Sequence, residues 1–440
     1  MKIHTVTMLG ANGTMGRNIA AIFASFGNAQ VYLISRTKEK SVQAKEKAYK
    51  SVRAESIKEK MIPADYSQLE ECVRKSDLIF EACAENWEIK VAVHHMIADT
   101  LNKINDNKKR ILCTGTSGLS ITGLAELYLE SHRSMFMGMH FFNPPYQMTL
   151  CELTPTHYTD RKVFDEIYGY GKDILFRTMV EVKDSPAFLG NRIGFQFINE
   201  ALQTAEKYKY NGGIDYMDTI LGPFTGRAMA PLVTADFVGL DVHKAIVDNL
   251  YENTYDYAHG TFVLPNFADR LVKEGRLGRK SGEGLYKTIL HDSGIKIRQV
   301  YDIEHGYYRN VMHYTFPFVE EMVSAFQVGD YEQGFKTLIS NRSQEADICC
   351  SFLLKYVVYS LEAAKEVGYE IHSADDVMAA GFNWCPPLAM IEAFGGKEIF
   401  RDLCRERLDA DILEKINLEE LMTGEEISRY DYRRFIKAKY

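Results

Sequence analysis

Over the first 180 positions, short apolar runs alternate with stretches whose apolar residues recur every three or four positions. Residues 6–9, 31–34, 78–81 and 111–113 read as buried strands, with helical stretches between them. Strands alternating with helices predict a parallel sheet covered on both faces. From about Pro186 the pattern changes to long helical periodicity, as in residues 195–208 and 214–221. The spacing therefore predicts an α/β N-terminal domain over residues 1–185, followed by all-α C-terminal domain(s).

A weak internal repeat runs through the helical part. Pro231-Leu232 reaches Asp236 and Gly239 with the spacing by which Pro387-Leu388 reaches Glu392 and Gly395. Each copy follows a helical stretch and an aspartate-containing segment, placed around Asp215 and Asp375. This gives a helical domain over 186–287 and a second helical repeat with a tail over 346–440. Residues 288–345 are polar and aromatic without a clear period, and are expected to form a connecting segment of irregular structure and short helices.

A chain of 440 residues exceeds what one core usually serves, so two or three domains are expected. The net charge of −8 opposes non-specific attraction to nucleic acid or an anionic membrane, and any anionic ligand then depends on a local basic patch. The eight cysteines include no Cys-x-x-Cys pair, which argues against a zinc site or a disulfide framework and for a reducing, cytoplasmic setting. No apolar run approaches the ~20 residues of a membrane span. The glycine turn at Gly10 leaves no room for a signal peptide, so the protein is expected to stay where it is made.

The run at 6–9 leads into Gly10-Ala11-Asn12-Gly13-Thr14-Met15-Gly16 and then a helical stretch. Glycines here let the backbone turn sharply and approach a pyrophosphate, whose charge the helix start favours. An ordinary strand-to-helix turn is the alternative. The second strand, at the right distance, makes the case for a Rossmann-type dinucleotide domain. It ends in Ser35-Arg36, where an acid commonly binds the ribose hydroxyls of NAD. A hydroxyl followed by a cation would suit the 2′-phosphate of NADP, while a surface arginine beside a tolerated serine reads equally well. The cofactor is NAD or NADP.

Several segments in order resemble the 3-hydroxyacyl-CoA dehydrogenase family. They are Gly-Thr-Met-Gly at 13–16 with Ile19-Ala20, Glu81-Ala82 with Glu85-Asn86 and Lys90, Thr116-Ser117, and Gly138-Met139-His140-Phe141-Phe142-Asn143-Pro144. Cys151-Glu152-Leu153, Asp184-Ser185-Pro186 through Asn191-Arg192, and Leu277-Gly278-Arg279-Lys280-Ser281-Gly282 to Tyr286 continue it. Gly381-Phe382-Asn383-Trp384 looks like the extra helical unit of longer bacterial members. Those also carry an enoyl-CoA hydratase, for which a chain ending at Tyr440 has no room, so a single activity is expected. Departures are Ser35, Gly115 where an asparagine commonly precedes Thr-Ser, an extra residue in the glycine loop, and Met229-Ala230-Pro231-Leu232 in place of Gly-Pro-Phe.

The resemblance implies hydride exchange between a nicotinamide dinucleotide and the 3-position of an acyl-CoA thioester, in a homodimer. Oxidising the 3-hydroxyl needs a base near neutral pH, a task that suits His140. The twelve residues from His140 to Glu152 accommodate a strand, a loop and a returning strand, which brings the carboxylate beside the imidazole. Spacing alone favours a packed histidine and a strand-end acid; the resemblance reverses that. It also implies that Ser117 and Asn191 hydrogen-bond the reacting oxygen, and that Glu85 and Lys90 lie near the nicotinamide and its ribose. By themselves Glu85 and Lys90 would read as a solvated ion pair. Residues 36–60 hold nine Lys or Arg against four acids, either a solvated helix face or an approach to the CoA phosphates. Two rivals stay open: a hydroxyacid dehydrogenase with a lysine such as Lys183 as acid/base, and a nucleotide-binding scaffold without turnover.

Overall fold

Val6, Met8 and Leu9 have no exposed surface, which fits a parallel strand covered on both faces rather than one with a wet side. In the computed structural model, which describes residues 2–291, 294–422 and 427–439, these residues lie in β1 (Thr5–Leu9). The chain divides into two compact units, Met1–Phe188 with Val367–Tyr369, and Leu189–Glu366 with Glu370–Tyr440.

In the first unit β1 is followed by α1 (Thr14–Ser25), β2 (Gln30–Ser35), α2 (Lys38–Val52), α3 (Glu55–Lys60), β3 (Met61–Asp65), α4 (Leu69–Lys75) and β4 (Leu78–Glu81). Then come α5 (Trp87–Ile104), β5 (Ile111–Thr114), α6 (Ile121–Ala125), α7 (Glu130–Arg133), β6 (Phe136–Phe141), β7 (Leu150–Pro155), α8 (Arg161–Gly169) and β8 (Thr178–Glu181). One sheet of eight strands results, in the order β3-β2-β1-β4-β5-β6-β7-β8. The first six are parallel, and β7 turns back antiparallel to β6. The order 3-2-1-4-5-6 is that of a dinucleotide-binding Rossmann sheet. The four strands read from the sequence are β1, β2, β4 and β5. One row of partners crosses the sheet through Ile34, Leu9, Glu81, Thr114, Gly138 and Thr154, so the residues just beyond it share an edge.

Among its described residues the second unit is helical apart from one small sheet. It contains α9 (Gly190–Lys207), α10 (Ile214–Ile220), α11 (Pro231–Val238), α12 (Leu240–Asn253), α13 (Asn266–Lys273), β9 (Tyr286–Leu290), β10 (Lys296–Tyr301), β11 (Tyr308–Asn310), α14 (Pro317–Gln327) and α15 (Tyr331–Ser340). After α16 (Gln344–Val367) follow α17 (His372–Val377), α18 (Pro387–Ala393) and α19 (Lys397–Arg407). Where irregular structure and short helices were expected from residue 288 on, β9, β10 and β11 form an antiparallel sheet in the order β11-β10-β9. Its strands are three to six residues long, too short for a period-2 pattern to stand out.

The repeat has a physical basis. Asp218 of α10 accepts the Leu232 and Val233 N–H groups at the start of α11, at 2.8 and 3.1 Å. Asp375 of α17 accepts Leu388 N–H at the start of α18, at 2.8 Å. A later hydroxyl closes each carboxylate, Tyr286 on Asp218 and Ser428 on Asp375, both at 2.6 Å. The capping aspartate of the first copy is thus Asp218, three residues past Asp215. Asp215 instead pairs with Arg309 of β11 at 2.6 Å.

Candidate active site

Ligands in open α/β sheets bind beyond the carboxyl ends of the strands, and this edge carries most of the residues singled out above. Leaving β1, the Gly10 and Ala11 N–H groups both bond to Ile34 O, at 3.1 and 3.2 Å. Gly13 N–H then bonds back to Gly10 O at 3.0 Å, so the extra residue is taken up as a tight turn. Gly10 has φ +77°, and a Cβ there would lie 2.5 Å from Ala82 O; one on Gly16 would collide with Gly10 O. Gly13 caps α1 without a side-chain acceptor, so the N–H groups of Thr14 and Met15 begin a 12-residue helix with an open N-terminus. Asn12 is exposed beside them. These residues fit a pyrophosphate: the backbone approach is clear and the donors are uncommitted.

Beyond β4 and β5 lies a charged network. The Glu85 carboxylate accepts from the Thr116 hydroxyl at 2.5 Å and from Ser117 N–H at 2.8 Å, joining the two loops. Its other oxygen lies 3.5 Å from Lys90 Nζ. Lys90 is fully buried and bonds both oxygens of Glu81, at 2.9 and 3.0 Å. Glu81, also without exposed surface, accepts Thr114 Oγ1 at 2.7 Å, and His94 Nε2 lies 3.4 Å away. Burial pushes the Glu81 carboxyl up, but the neighbouring His94 ring and the Lys90 ammonium outweigh it and hold it well below the ordinary range. For Lys90, burial acts downward and the Glu81 and Glu85 charges prevail, a net rise. His94 shifts down through burial and bonds Tyr128 OH through Nδ1 at 2.6 Å.

The solvated pair read from Glu85 and Lys90 is therefore the outer end of a buried cluster. Glu81, Thr114, Thr116 and His94 are the members that sequence reasoning left without a role. An acid ending the apolar run Leu78-Ile79-Phe80 was the available signal. Gly115 also has its reason: a Cβ there would come within 2.9 Å of the Phe80 ring, which fills the space.

His140 lies two residues past Gly138, at the carboxyl end of β6, and pairs in register with Glu152 of β7. Directly opposed residues project to the same face, and His140 Nδ1 is 2.8 Å from Glu152 Oε2. A carboxylate only accepts, so Nδ1 carries the proton and Nε2 keeps its lone pair. The ring sits against Phe142 and Phe188, with centroids at 4.6 and 5.5 Å. Glu152 has no exposed surface, and His140 is 5% exposed.

Asn191 is buried in the first turn of α9, in the second unit. Lys183 is exposed past β8, its ammonium 5.8 Å from the Tyr369 ring. Ser35 is buried at the end of β2 and Arg36 beside it is exposed. Among the described residues there is no group of three or more His, Cys, Asp or Glu placed to hold a metal, and no helix long and apolar enough to cross a membrane.

A Rossmann sheet with a glycine cradle and a carboxylate-bound histidine on one edge defines a dinucleotide-dependent class. Residues 5–185 match the family described as 3-hydroxyacyl-CoA dehydrogenase, NAD binding domain, and residues 188–288 match its C-terminal domain. The chain belongs to the 3-hydroxyacyl-CoA dehydrogenase family. It is 33% identical over 291 residues to the 3-hydroxybutyryl-CoA dehydrogenase of Clostridioides difficile, covering 62% of this chain and 96% of that protein. It is 28% identical over 436 residues to a probable 3-hydroxyacyl-CoA dehydrogenase of Bacillus subtilis, covering 93% of this chain but only 53% of that longer protein. Among solved structures, the 3-hydroxybutyryl-CoA dehydrogenase of Escherichia coli superposes with a TM-score of 0.67 at 20% identity, over 99% of this chain and 97% of that one. This last likeness concerns the fold.

Proposed function

We propose that the chain interconverts (3S)-3-hydroxyacyl-CoA and 3-oxoacyl-CoA with NAD(P), His140 serving as general acid/base. In the oxidative direction His140 Nε2 takes the proton of the 3-hydroxyl. The imidazolium that forms keeps its Nδ1–H on Glu152, whose buried charge stabilises it and holds the tautomer. Ser117 and Asn191 hydrogen-bond the reacting oxygen. Glu85 and Lys90 support the cofactor side, and the backbone N–H groups after Gly13 hold the pyrophosphate. When bound, the dinucleotide accepts or supplies the hydride. The observation that carries this reading is the buried His140–Glu152 pair on the sheet edge that also bears the glycine cradle.

Lys183, exposed and held over Tyr369, is a poor candidate for the rival lysine mechanism. The reading assigns 1–185 to the dinucleotide, 186–287 to the helical domain, 288–345 to a connection and 346–440 to a second helical repeat. It also includes a homodimer and a cytoplasmic location.

The test is nicotinamide absorbance during reduction of acetoacetyl-CoA, with NADH and with NADPH. His140→Gln and Glu152→Gln should each lower kcat by roughly 10²–10⁴-fold, the usual worth of acid–base catalysis, and weaken dinucleotide binding far less. Retained turnover in His140→Gln with loss in Lys183→Ala would establish the lysine mechanism. Dinucleotide binding with no thioester-dependent oxidation would mark a scaffold.

A further inference from the structure

The end of β2 carries a polar group that the reaction leaves unused. Ser35 is 1% exposed, and its Oγ has no hydrogen-bond partner among the described residues. A buried polar group in that condition is destabilising unless a ligand satisfies it. Its position is defined by Ile34, whose carbonyl accepts the Gly10 and Ala11 N–H groups, so Ser35 begins where the glycine turn is fastened. Arg36 follows, exposed and without a hydrogen bond or ion pair among the described residues. The 15-residue helix α2 then starts behind Thr37, whose side chain does not cap it.

Two acids lie nearby, and each already has donors. Asp65, opposite Ser35 in register, accepts Ser67 N–H at 2.9 Å and the Ser67 hydroxyl at 2.5 Å. Glu39 is held low by its own backbone N–H and by the Thr37 hydroxyl. Lys38 acts favourably on both carboxylates. Neither acid occupies the strand-end position, where a carboxylate would accept from the two ribose hydroxyls of NAD.

We propose that Ser35 and Arg36 form a subsite for the 2′-phosphate of an adenine dinucleotide, so that the chain prefers NADPH to NADH. The inference rests on the dinucleotide reading above. A ribose diol needs an acceptor of two hydrogen bonds, for which one serine hydroxyl is a poor substitute. A 2′-phosphate needs donors and positive charge, which a buried hydroxyl without a partner and a guanidinium with all its donors unused supply together.

The test is equilibrium titration of the full chain, following the fluorescence of NADPH and of NADH, with 2′,5′-ADP and 5′-ADP as displacing probes. NADPH should bind roughly 10- to 100-fold tighter, the worth of a charge-assisted hydrogen bond, and 2′,5′-ADP should displace it better than 5′-ADP. Arg36→Ala and Ser35→Asp should each reduce the NADPH to NADH affinity ratio about tenfold or more. Arg36 is exposed, so its replacement tests the idea even if Ser35→Asp misfolds. Equal or tighter binding of NADH by the unaltered chain overturns the inference, as does Arg36→Ala weakening both cofactors alike. NADH-dependent turnover without NADPH selectivity would leave the proposed function standing and remove this subsite; selectivity without turnover would do the reverse.

Discussion

Lys90 brings a full positive charge into a site with no exposed surface, and only Glu81 and Glu85 make that tolerable. A buried ion pair contributes little net stability, yet removing one partner strands the other, at about 3–5 kcal/mol. Lys90→Met is therefore expected to lower the melting temperature by roughly 10 °C, since 1 kcal/mol is about 2–4 °C in domains of this size. Glu81→Leu combined with Lys90→Met should recover much of that loss. Thermal unfolding followed by circular dichroism reads both; an undiminished melting temperature in the single variant would show that Lys90 does not compensate Glu81. The same single variant should loosen Glu85, and with it the Thr116–Ser117 loop, so cofactor affinity falls as well.

At the scale of elements, the start of α1 differs from those of α5 and α6. In α5 and α6 the first turn is closed by side chains, Asn86 to Ile89 N–H at 2.9 Å and Ser120 to Gly123 N–H at 3.0 Å. In α1 the cap is Gly13, which brings no acceptor and leaves the turn open for a ligand. The approach depends on Gly10, whose left-handed backbone and contact with Ala82 exclude a side chain. Gly10→Ala combines about 1–2 kcal/mol of backbone strain with a collision against the Ala82 carbonyl just past β4, so dinucleotide affinity should fall at least about tenfold. Isothermal titration of the variant measures this directly. Affinity equal to that of the unaltered chain would mean that the turn does not hold the pyrophosphate.

At the scale of the whole molecule, the two capping aspartates of the helical repeat link its stability to pH. Burial raises both Asp218 and Asp375 to about 7. Each is thus protonated in the folded chain at pH values where an unfolded aspartate is already ionised. A raised carboxyl gives stability that is full below the unfolded value, about 4, and is lost as pH rises through the folded value. Asp375→Asn keeps an acceptor for Leu388 N–H and removes the titration. Its melting temperature should gain on that of the unaltered chain between pH 4.5 and 7.5; a constant difference across that range would refute the linkage.

The sequence alone determined what local periodicity and spacing encode. Apolar runs marked β1, β2, β4 and β5, glycines at 10, 13 and 16 marked the turn, and the twelve positions from His140 to Glu152 left room for a strand, a loop and a returning strand, although spacing alone favoured a packed histidine and a strand-end acid. These features are legible because each rests on the few residues around it. What only the tertiary structure decided depends on partners far along the chain. Glu81 lies beside Lys90 and Thr114 because parallel crossovers align β4 and β5; Asp218 caps α11 while Asp215, one turn earlier, is taken by Arg309. The small sheet of β9, β10 and β11 is held through Arg309 to Asp215, 94 residues away. A hydroxyl such as that of Ser35 reads as unremarkable until the fold buries it, because burial is set by everything packed around a residue and not by its neighbours in sequence.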